Sequence, residues 1–555
     1  MIGFRIGESG QKEGFYLRSY VPAVQECGRP IDVFTRSWGA DKPPIVRMGE
    51  LFPGRFRVEI KYNGEQYGPP YLVAGGMMAG WHAYSYQNYF TFPRPYEVIH
   101  QVRFNGTHRV FPWGNAELVG ITARNARLGG SIGITVEPPN AYYPAYDYQT
   151  RDDSPLKWYL WTWQRDWMFY DVWGRMSYDP QVPRRVWAAK FKARYGEAAG
   201  EACFEAFDAA GRIIPFALAV CGMHPDHRGH AIELETGGDV TRWAETLPFD
   251  AANFQSPLEY ARSVVEGAPS PRISPLQAAD QIEAWCAEVT KHLDRVKTPG
   301  AESGEIKSLC VDLTMQTHLG RYVAARLRSA TYYALYSLSH DEPFAEEARK
   351  HHAEAVAQWG RLASVGESKY KPFVDTLRMK TETYTWAQEA AKCRQDGTAL
   401  ADQLEPALKK AAKPDAPPKG LTPVSLEAKG DKTGPVIGAA AANLATAAQG
   451  VRKLTVQVPV SDPAGLAAVN LRWKPFPSEA VWRTAPMKQS GGMWSAAVGV
   501  YPFGILWSVD ALDKDGNASL WPDCRRDIPY RWVEPWKDVA LVSLPMIEMV
   551  GHLAE

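Results

Sequence analysis

Glu8, Glu65 and Glu137 each stand just beyond a short β-rich run, where a strand would hand over to a loop. Carboxyl groups placed this way suit hydrolysis of a glycosidic bond. One protonates the leaving oxygen, and another, across the sugar ring, activates water or attacks the anomeric carbon. Other polar groups occupy matching strand ends: Arg36, Lys61 and Arg103 are placed to neutralise an acidic group, and Tyr62, His100 and Gln101 to orient the sugar. Trp38 and Trp113 are the candidates for stacking on its flat face. A single strand-end glutamate is more often a solvated or salt-bridged residue than a catalyst, so the inference rests on the recurrence.

The elements that would position these groups follow from periodicity. Runs at 2–7, 31–38, 56–61, 96–103 and 131–136 read as strands, with helices at 14–25, 43–51 and 116–128 between them. Strands alternating with helices indicate a parallel sheet. Five such units make about half of a (β/α)8 barrel, with 157–176 as its last helix; in that fold the site lies at the C-terminal strand ends. Residues 184–220 read as helical and run into a histidine-containing loop.

Beyond this the chain changes character. Ser274, Pro275 and Gln277 form an N-cap, a first-turn proline and a capping-box partner. The apolar stripe Ile282, Cys286, Val289, Leu293, Val296 continues that helix, and more are expected at 306–338, 343–364 and 370–394. Residues 412–450 are rich in Pro, Gly, Lys and Ala, a linker composition. From Lys453 the apolar period becomes two, and Asp515-Gly516 marks a hairpin turn, which together predict a small β-sandwich of immunoglobulin or fibronectin type. The fold class expected is multidomain, α/β plus all-α plus all-β. Its parts are a partial barrel with closing helices over 1–265, a helical bundle over 273–412, a linker over 413–450, the sandwich over 451–536 and an apolar tail over 537–555.

Composition sets bounds. The chain has 555 residues, which at about 100–200 per domain suggests three or four domains. Lys plus Arg and Asp plus Glu both number 62, so the surface lacks the basic excess of a nucleic-acid binder. Twenty tryptophans give modest support to a sugar-binding reading. Seven scattered cysteines without a CxxC pair argue against a disulfide framework. There is no apolar run long enough for a membrane span and no visible secretory leader.

A resemblance strengthens the chemistry. Gly7-Glu8-Ser9-Gly10-Gln11 resembles the acid-bearing loop of the xylan-debranching α-glucuronidases. Gln101–His108 followed by Phe111-Pro112-Trp113 is similar to a second stretch of that family. Residues 129–136 with the aromatic helix 158–180 are similar to its last strand and closing helix. The pieces keep their order over about residues 1–200. The resemblance implies a barrel glycoside hydrolase acting on an acidic or xylan-type sugar, with Glu8 as general acid and inversion of configuration. Where the family carries a base carboxylate after the glutamine, this chain has Val102, which leaves Glu65 first and Glu137 next as the second carboxylate. In that alignment residues 2–7 are the fourth barrel strand, and a chain continued upstream would be periplasmic or secreted.

Two other clusters are read as structural. Cys221, His224, Asp226, His227 and His230 match no zinc spacing, and Asp513–Asn517 lacks the later glutamate of a calcium loop. No metal and no cofactor are expected, and no phosphate- or dinucleotide-binding glycine motif occurs. The expected partner is a carbohydrate, with no nucleic acid and no membrane span; a homo-oligomer is compatible with this. The alternative is a non-catalytic carbohydrate-binding protein derived from a glycosidase.

Overall fold

A parallel five-stranded sheet opens the chain: β1 (Ile2–Phe4), β2 (Val33–Arg36), β3 (Phe56–Lys61), β4 (Glu97–Arg103) and β5 (Ser131–Glu137). The strands lie side by side in chain order. This is a computed structural model, which describes residues 1–61, 66, 87–90, 93–104, 107–139, 144–224, 229–296, 303–376, 381–410, 433–446, 452–476, 482–500 and 504–533. Helices α1 (Glu13–Arg18), α2 (Tyr20–Glu26), α3 (Lys42–Leu51) and α4 (Ala116–Arg124) lie in the crossovers. Parallel crossovers are right-handed, so a sheet wound in one direction receives its helices on one face only.

The strands show the consequence. A parallel sheet covered on both faces reads as a continuous apolar run, but β3, FRVEIK, alternates. Phe56, Val58 and Ile60 join Val33, Val98 and Val102 in a core shared with Val24, Ile45, Met48 and Val119 of the helices. Each fully buried Val or Ile there contributes roughly 1.5–3 kcal/mol. Arg57, Glu59 and Lys61 point to the opposite face, free of helices among the described crossovers.

The helical part begins later than the sequence predicts: residues 157–161 are not helical, and α5 (Thr162–Arg165) and α6 (Trp167–Met176) follow them. The backbone groups there are used instead in pairing with 145–147. Next come α7 (Arg184–Tyr195), α8 (Glu197–Val220), α9 (Val240–Glu245), α10 (Pro257–Val265), α11 (Pro275–Arg295), α12 (Gly304–Ser339) and α13 (Glu342–Glu367). Ser274 caps α11 in the capping box expected of it. Helix α8 is Ala-rich and buried around most of its surface, as befits a central helix. It meets α11 and α12 at Gly320, where an added Cβ would lie 2.6 Å from Cys286 Sγ and 2.8 Å from Ile213 Cγ2.

The expected helix at 370–394 is replaced at its start by a ribbon, β6 (Phe373–Val374) and β7 (Thr383–Tyr384), before α14 (Trp386–Lys410). Pro372 cannot donate to a helical ladder, and the rings of Phe373, Tyr384 and Trp386 pack together. A buried ion pair fixes the preceding turn: Lys369 Nζ donates to both Asp312 oxygens at 2.7 and 2.6 Å, and Tyr370 donates to Oδ1 at 2.7 Å.

Part of the stretch read as linker is strand. β8 (Val436–Ile437) and β9 (Ala441–Thr446) pair with β10 (Arg452–Ser461), because backbone ladder bonds do not depend on the small side chains there. The other strands are β11 (Leu466–Pro475), β12 (Arg483–Pro486), β13 (Lys488–Ser490), β14 (Met493–Val500), β15 (Ile505–Asp513), β16 (Ala518–Trp521) and β17 (Arg531–Val533). They form two antiparallel sheets, β13-β14-β10-β8 with β9 on β10, and β12-β11-β15-β16 with β17 on β15. Leu454, Val456, Val458, Leu471 and Val509 share their core. This unit packs on the rest through Phe476 against Phe90, with ring centres 5.5 Å apart, and through Asn125 Nδ2, which donates to the Tyr530 hydroxyl at 2.9 Å. No helix among the described residues is long and apolar enough to cross a membrane. The apolar tail lies outside the described residues.

Candidate active site on the helix-free sheet face

Register alignment brings the polar strand positions together. Arg36 pairs with Glu59, Lys61 with Gln101, Gln101 with Thr135 and Arg103 with Glu137, all on one face. Glu59 is the centre of this row. Its Oε1 lies 3.0 Å from Arg36 Nε, and its Oε2 accepts from Thr135 Oγ1 at 2.9 Å. Burial pushes the Glu59 carboxyl above its ordinary range, against the pull of the Arg36 charge. Burial likewise lowers the Arg36 guanidinium, with Glu59 opposing it. Arg36 also donates from Nη2 to Gln101 Oε1 at 2.8 Å, so it bridges β3 and β4.

The second ion pair lies farther along the strands. Arg103 meets Glu137 as a fork, Nε to Oε2 at 2.9 Å and Nη2 to Oε1 at 3.1 Å. Two parallel contacts fix the carboxylate's plane as well as its place. Lys61 lies over the Trp38 ring at 4.1 Å, a cation–π contact that occupies one face of the indole.

The loops after β1 and β2 close on each other. An added Cβ on Gly7 would lie 2.5 Å from Trp38 O, and one on Gly39, whose φ is +65°, would lie 2.7 Å from Gly7 Cα. Only glycine permits that approach. It puts the short 3-10 turn Gly7–Ser9, and with it the backbone of Glu8, beside Trp38. Tyr16 steadies the turn by donating to Arg5 O at 2.7 Å and contacting Ser9 Oγ at 3.1 Å.

The segment leaving β4 is held from behind. Glu233 is fully buried and accepts three successive backbone N–H groups, Arg109 at 2.5 Å, Val110 at 3.0 Å and Phe111 at 3.1 Å. Burial raises its carboxyl to about 7, the three donors acting in the other direction. Arg109 pairs with Asp375 at 3.1 Å, and Asn115 caps α4 while its amide donates to Asp208 O at 2.9 Å.

The arrangement is a polar row of three cations and two carboxylates at the C-terminal ends of parallel strands, and comparison with solved structures gives it a context. The fold is similar to that of a GH138 enzyme targeting pectin rhamnogalacturonan II. The TM-score is 0.61 at 14% sequence identity, over 74% of this chain and 62% of that one. The chain therefore spans under two thirds of that enzyme's length. No family model matches the sequence, and no curated protein does.

The candidates named from sequence separate into groups. Arg36, Lys61, Gln101, Arg103 and Glu137 come together on the helix-free face, with Trp38 at its edge. Glu65 and Tyr62 lie outside the described residues, and of Glu8 only the backbone is placed. His100 is not on this face. It shares the apolar side with Val98 and Val102, its Nε2 lies 2.9 Å from Leu128 O, and burial lowers it to about 4, so it stays neutral. Trp113 is also corrected: it is buried against Phe104, and its Nε1 donates to Gly211 O at 2.8 Å, which removes it from any sugar-stacking surface. Among the described residues no group of three metal-ligating side chains occurs. Sequence reasoning missed Glu59. The signal was present: a glutamate inside a parallel strand must be paired, and period two groups it with Arg57 and Lys61.

Proposed function

We propose that the chain is a glycoside hydrolase acting on a plant-type or acidic polysaccharide or oligosaccharide. The observation that carries this reading is the Arg36–Glu59–Thr135 and Arg103–Glu137 row on the helix-free face of the parallel sheet. In this reading the sheet is an arc of a (β/α)8 barrel, the two antiparallel sheets are a sandwich of immunoglobulin or fibronectin type, and the domains follow the boundaries expected from sequence, except that the sandwich begins with β8, inside the stretch expected as linker. Glu8, on the turn after β1, protonates the glycosidic oxygen. Glu137, held by Arg103, or Glu65 is the second carboxylate, and Glu59 holds Arg36 towards the sugar. Lys61, Arg36 and Gln101 contact the substrate. The fold likeness to an enzyme targeting a pectic polysaccharide supports the substrate class.

The test is sugar release from a panel of pectic and glucuronoxylan oligosaccharides, comparing the natural chain with Glu8→Gln and Glu137→Gln. Loss of release in both variants, with circular dichroism unchanged, supports the assignment, and proton NMR of the first product gives the anomeric outcome. Unchanged rates in both would sink it. A second reading, a non-catalytic carbohydrate-binding protein, is favoured by Val102 at the place of a base and by Lys61 covering one face of Trp38. It predicts sugar binding without release.

A further inference from the structure

We propose that Glu233 is a positioning residue for the candidate active site: it fixes the place of Glu137 through a run of backbone hydrogen bonds, and so ties the helical part of the chain to the ends of β4 and β5. The proposal rests on the hydrolase reading above and adds to it a residue that touches no sugar. Glu233 lies away from the ion-paired row, on the connection between α8 and α9, and is 1% exposed. A buried carboxylate is costly unless donors meet it. Here the donors are the backbone N–H groups of Arg109, Val110 and Phe111.

Those residues lead back to the strand ends. The N–H groups of Thr107 and His108 both donate to Phe104 O, at 2.9 and 3.2 Å. Phe104 N–H in turn donates to Glu137 O at 3.3 Å. That bond is the last rung between β4 and β5, at the register where Arg103 stands beside Glu137. Glu137 is therefore located twice, through its carboxylate by the Arg103 fork and through its backbone by Phe104. Phe104, Val110 and Phe111 are fully buried, and packed interiors transmit a displacement instead of absorbing it.

Glu233 is itself held from the helical side. Trp386, the first residue of α14, donates from Nε1 to Glu233 O at 2.8 Å, and Trp359 of α13 donates from Nε1 to Trp386 O at 3.2 Å. Arg109 adds a second link, its Nη1 meeting Asp375 just after β6 at 3.1 Å. Both the head and the backbone of Glu233 are thus tied, one towards the sheet and one towards the helices. A fully satisfied buried network of this kind specifies a single arrangement. A catalytic carboxylate needs that, because its geometry has to hold to within about 0.5 Å and a misplacement of about 1 Å can cost about 100-fold in rate.

The experiment combines sugar release from the pectic and glucuronoxylan oligosaccharides with hydrogen exchange of the full chain, resolved to the Phe104 amide by electron-transfer fragmentation. The natural chain, Glu233→Ala, Glu233→Gln and Gly320→Val are compared at a temperature where circular dichroism shows all of them folded. Gly320→Val, which loosens the helical part elsewhere, is the control for general stability. In Glu233→Ala the Phe104 amide is expected to exchange about tenfold or more faster, and kcat to fall about 10- to 100-fold with KM within about twofold. Glutamine keeps one acceptor oxygen and should recover most of both, while the control changes neither. Should Glu233→Ala not fold, Glu233→Gln decides between the same outcomes, with a kcat loss of about threefold or more expected. Faster exchange at 109–111 with Phe104 unchanged confines Glu233 to its own loop and overturns the proposal, as does an unchanged kcat once the Phe104 amide is loosened. An equal fall of kcat in Gly320→Val makes the effect one of general stability and also overturns it. Those three outcomes leave the hydrolase reading standing. Absence of sugar release from the natural chain overturns that reading, and the positioning role falls with it.

Discussion

Replacing Glu233 with alanine should release the segment that follows β4. In the folded chain its carboxylate satisfies the N–H groups of Arg109, Val110 and Phe111, all from a site closed to water. Each buried donor left without a partner costs about 1–3 kcal/mol. Against this, alanine removes the cost of burying the carboxylate, which the rise from 4.5 to about 7 puts at about 3 kcal/mol. Three donors less that offset give a net local destabilisation of about 0–6 kcal/mol, with a central value of about 3 kcal/mol, or roughly 150-fold in opening. Glutamine keeps one acceptor oxygen and should cost about 1–2 kcal/mol. The assay is hydrogen exchange by mass spectrometry on peptides covering 107–115, with a peptide from α8 as the internal reference. The pH dependence gives a second check. The folded carboxyl lies above its unfolded value, so the folded chain retains a proton that the unfolded chain gives up between about 4.5 and 7. Its contribution is full below that window and is lost as pH rises through it. Glu233→Gln should remove this slope. Exchange of residues 109–111 within about threefold of the natural chain in Glu233→Ala would refute the reasoning, because three orphaned donors at about 2 kcal/mol each outweigh the relieved burial of the carboxylate by about 3 kcal/mol.

Other perturbations test the scaffold and the site. Asp312→Ala leaves the Lys369 ammonium buried without its partner and should destabilise by about 3–5 kcal/mol, read as a lower thermal midpoint; Lys369→Met together with Asp312→Leu should recover much of the loss. Gly320→Val forces a side chain into Cys286 and Ile213 at the α8–α11–α12 crossing and should cost about 1–3 kcal/mol or more in the same measurement. Asp250 and Asp510, both raised by burial to about 6, should add stability that is full below about 4 and falls as pH rises through 6. Asp510→Asn should flatten that part of a pH–stability profile. Arg36→Met strips Glu59 of its ion-pair partner and should cut sugar release more than Lys61→Met, measured as kcat/KM on the same oligosaccharide.

Period-two and βα patterning was enough to place all five parallel strands and the helices between them, because strand and helix faces are encoded by local spacing. The same spacing, followed further, separates Val98, His100 and Val102 from Gln101 and Arg103, so the burial of His100 was legible in EVIHQVR. Other features were not local. Nothing in the sequence around Trp113 says that Gly211, on a helix far along the chain, accepts its indole N–H. Nor does the sequence around 109–111 point to Glu233. The strands within the Ala-rich stretch at 436–446 were hidden because their side chains are small and their stabilisation comes from pairing with β10. The amino-acid sequence therefore determined which residues alternate, cap and break. Tertiary structure decided which of the two faces of each strand the helices cover, and so which polar side chains meet as pairs. That choice depends on crossover handedness and on partners tens to hundreds of residues away, where burial forces every charge to find a counter-charge or a donor.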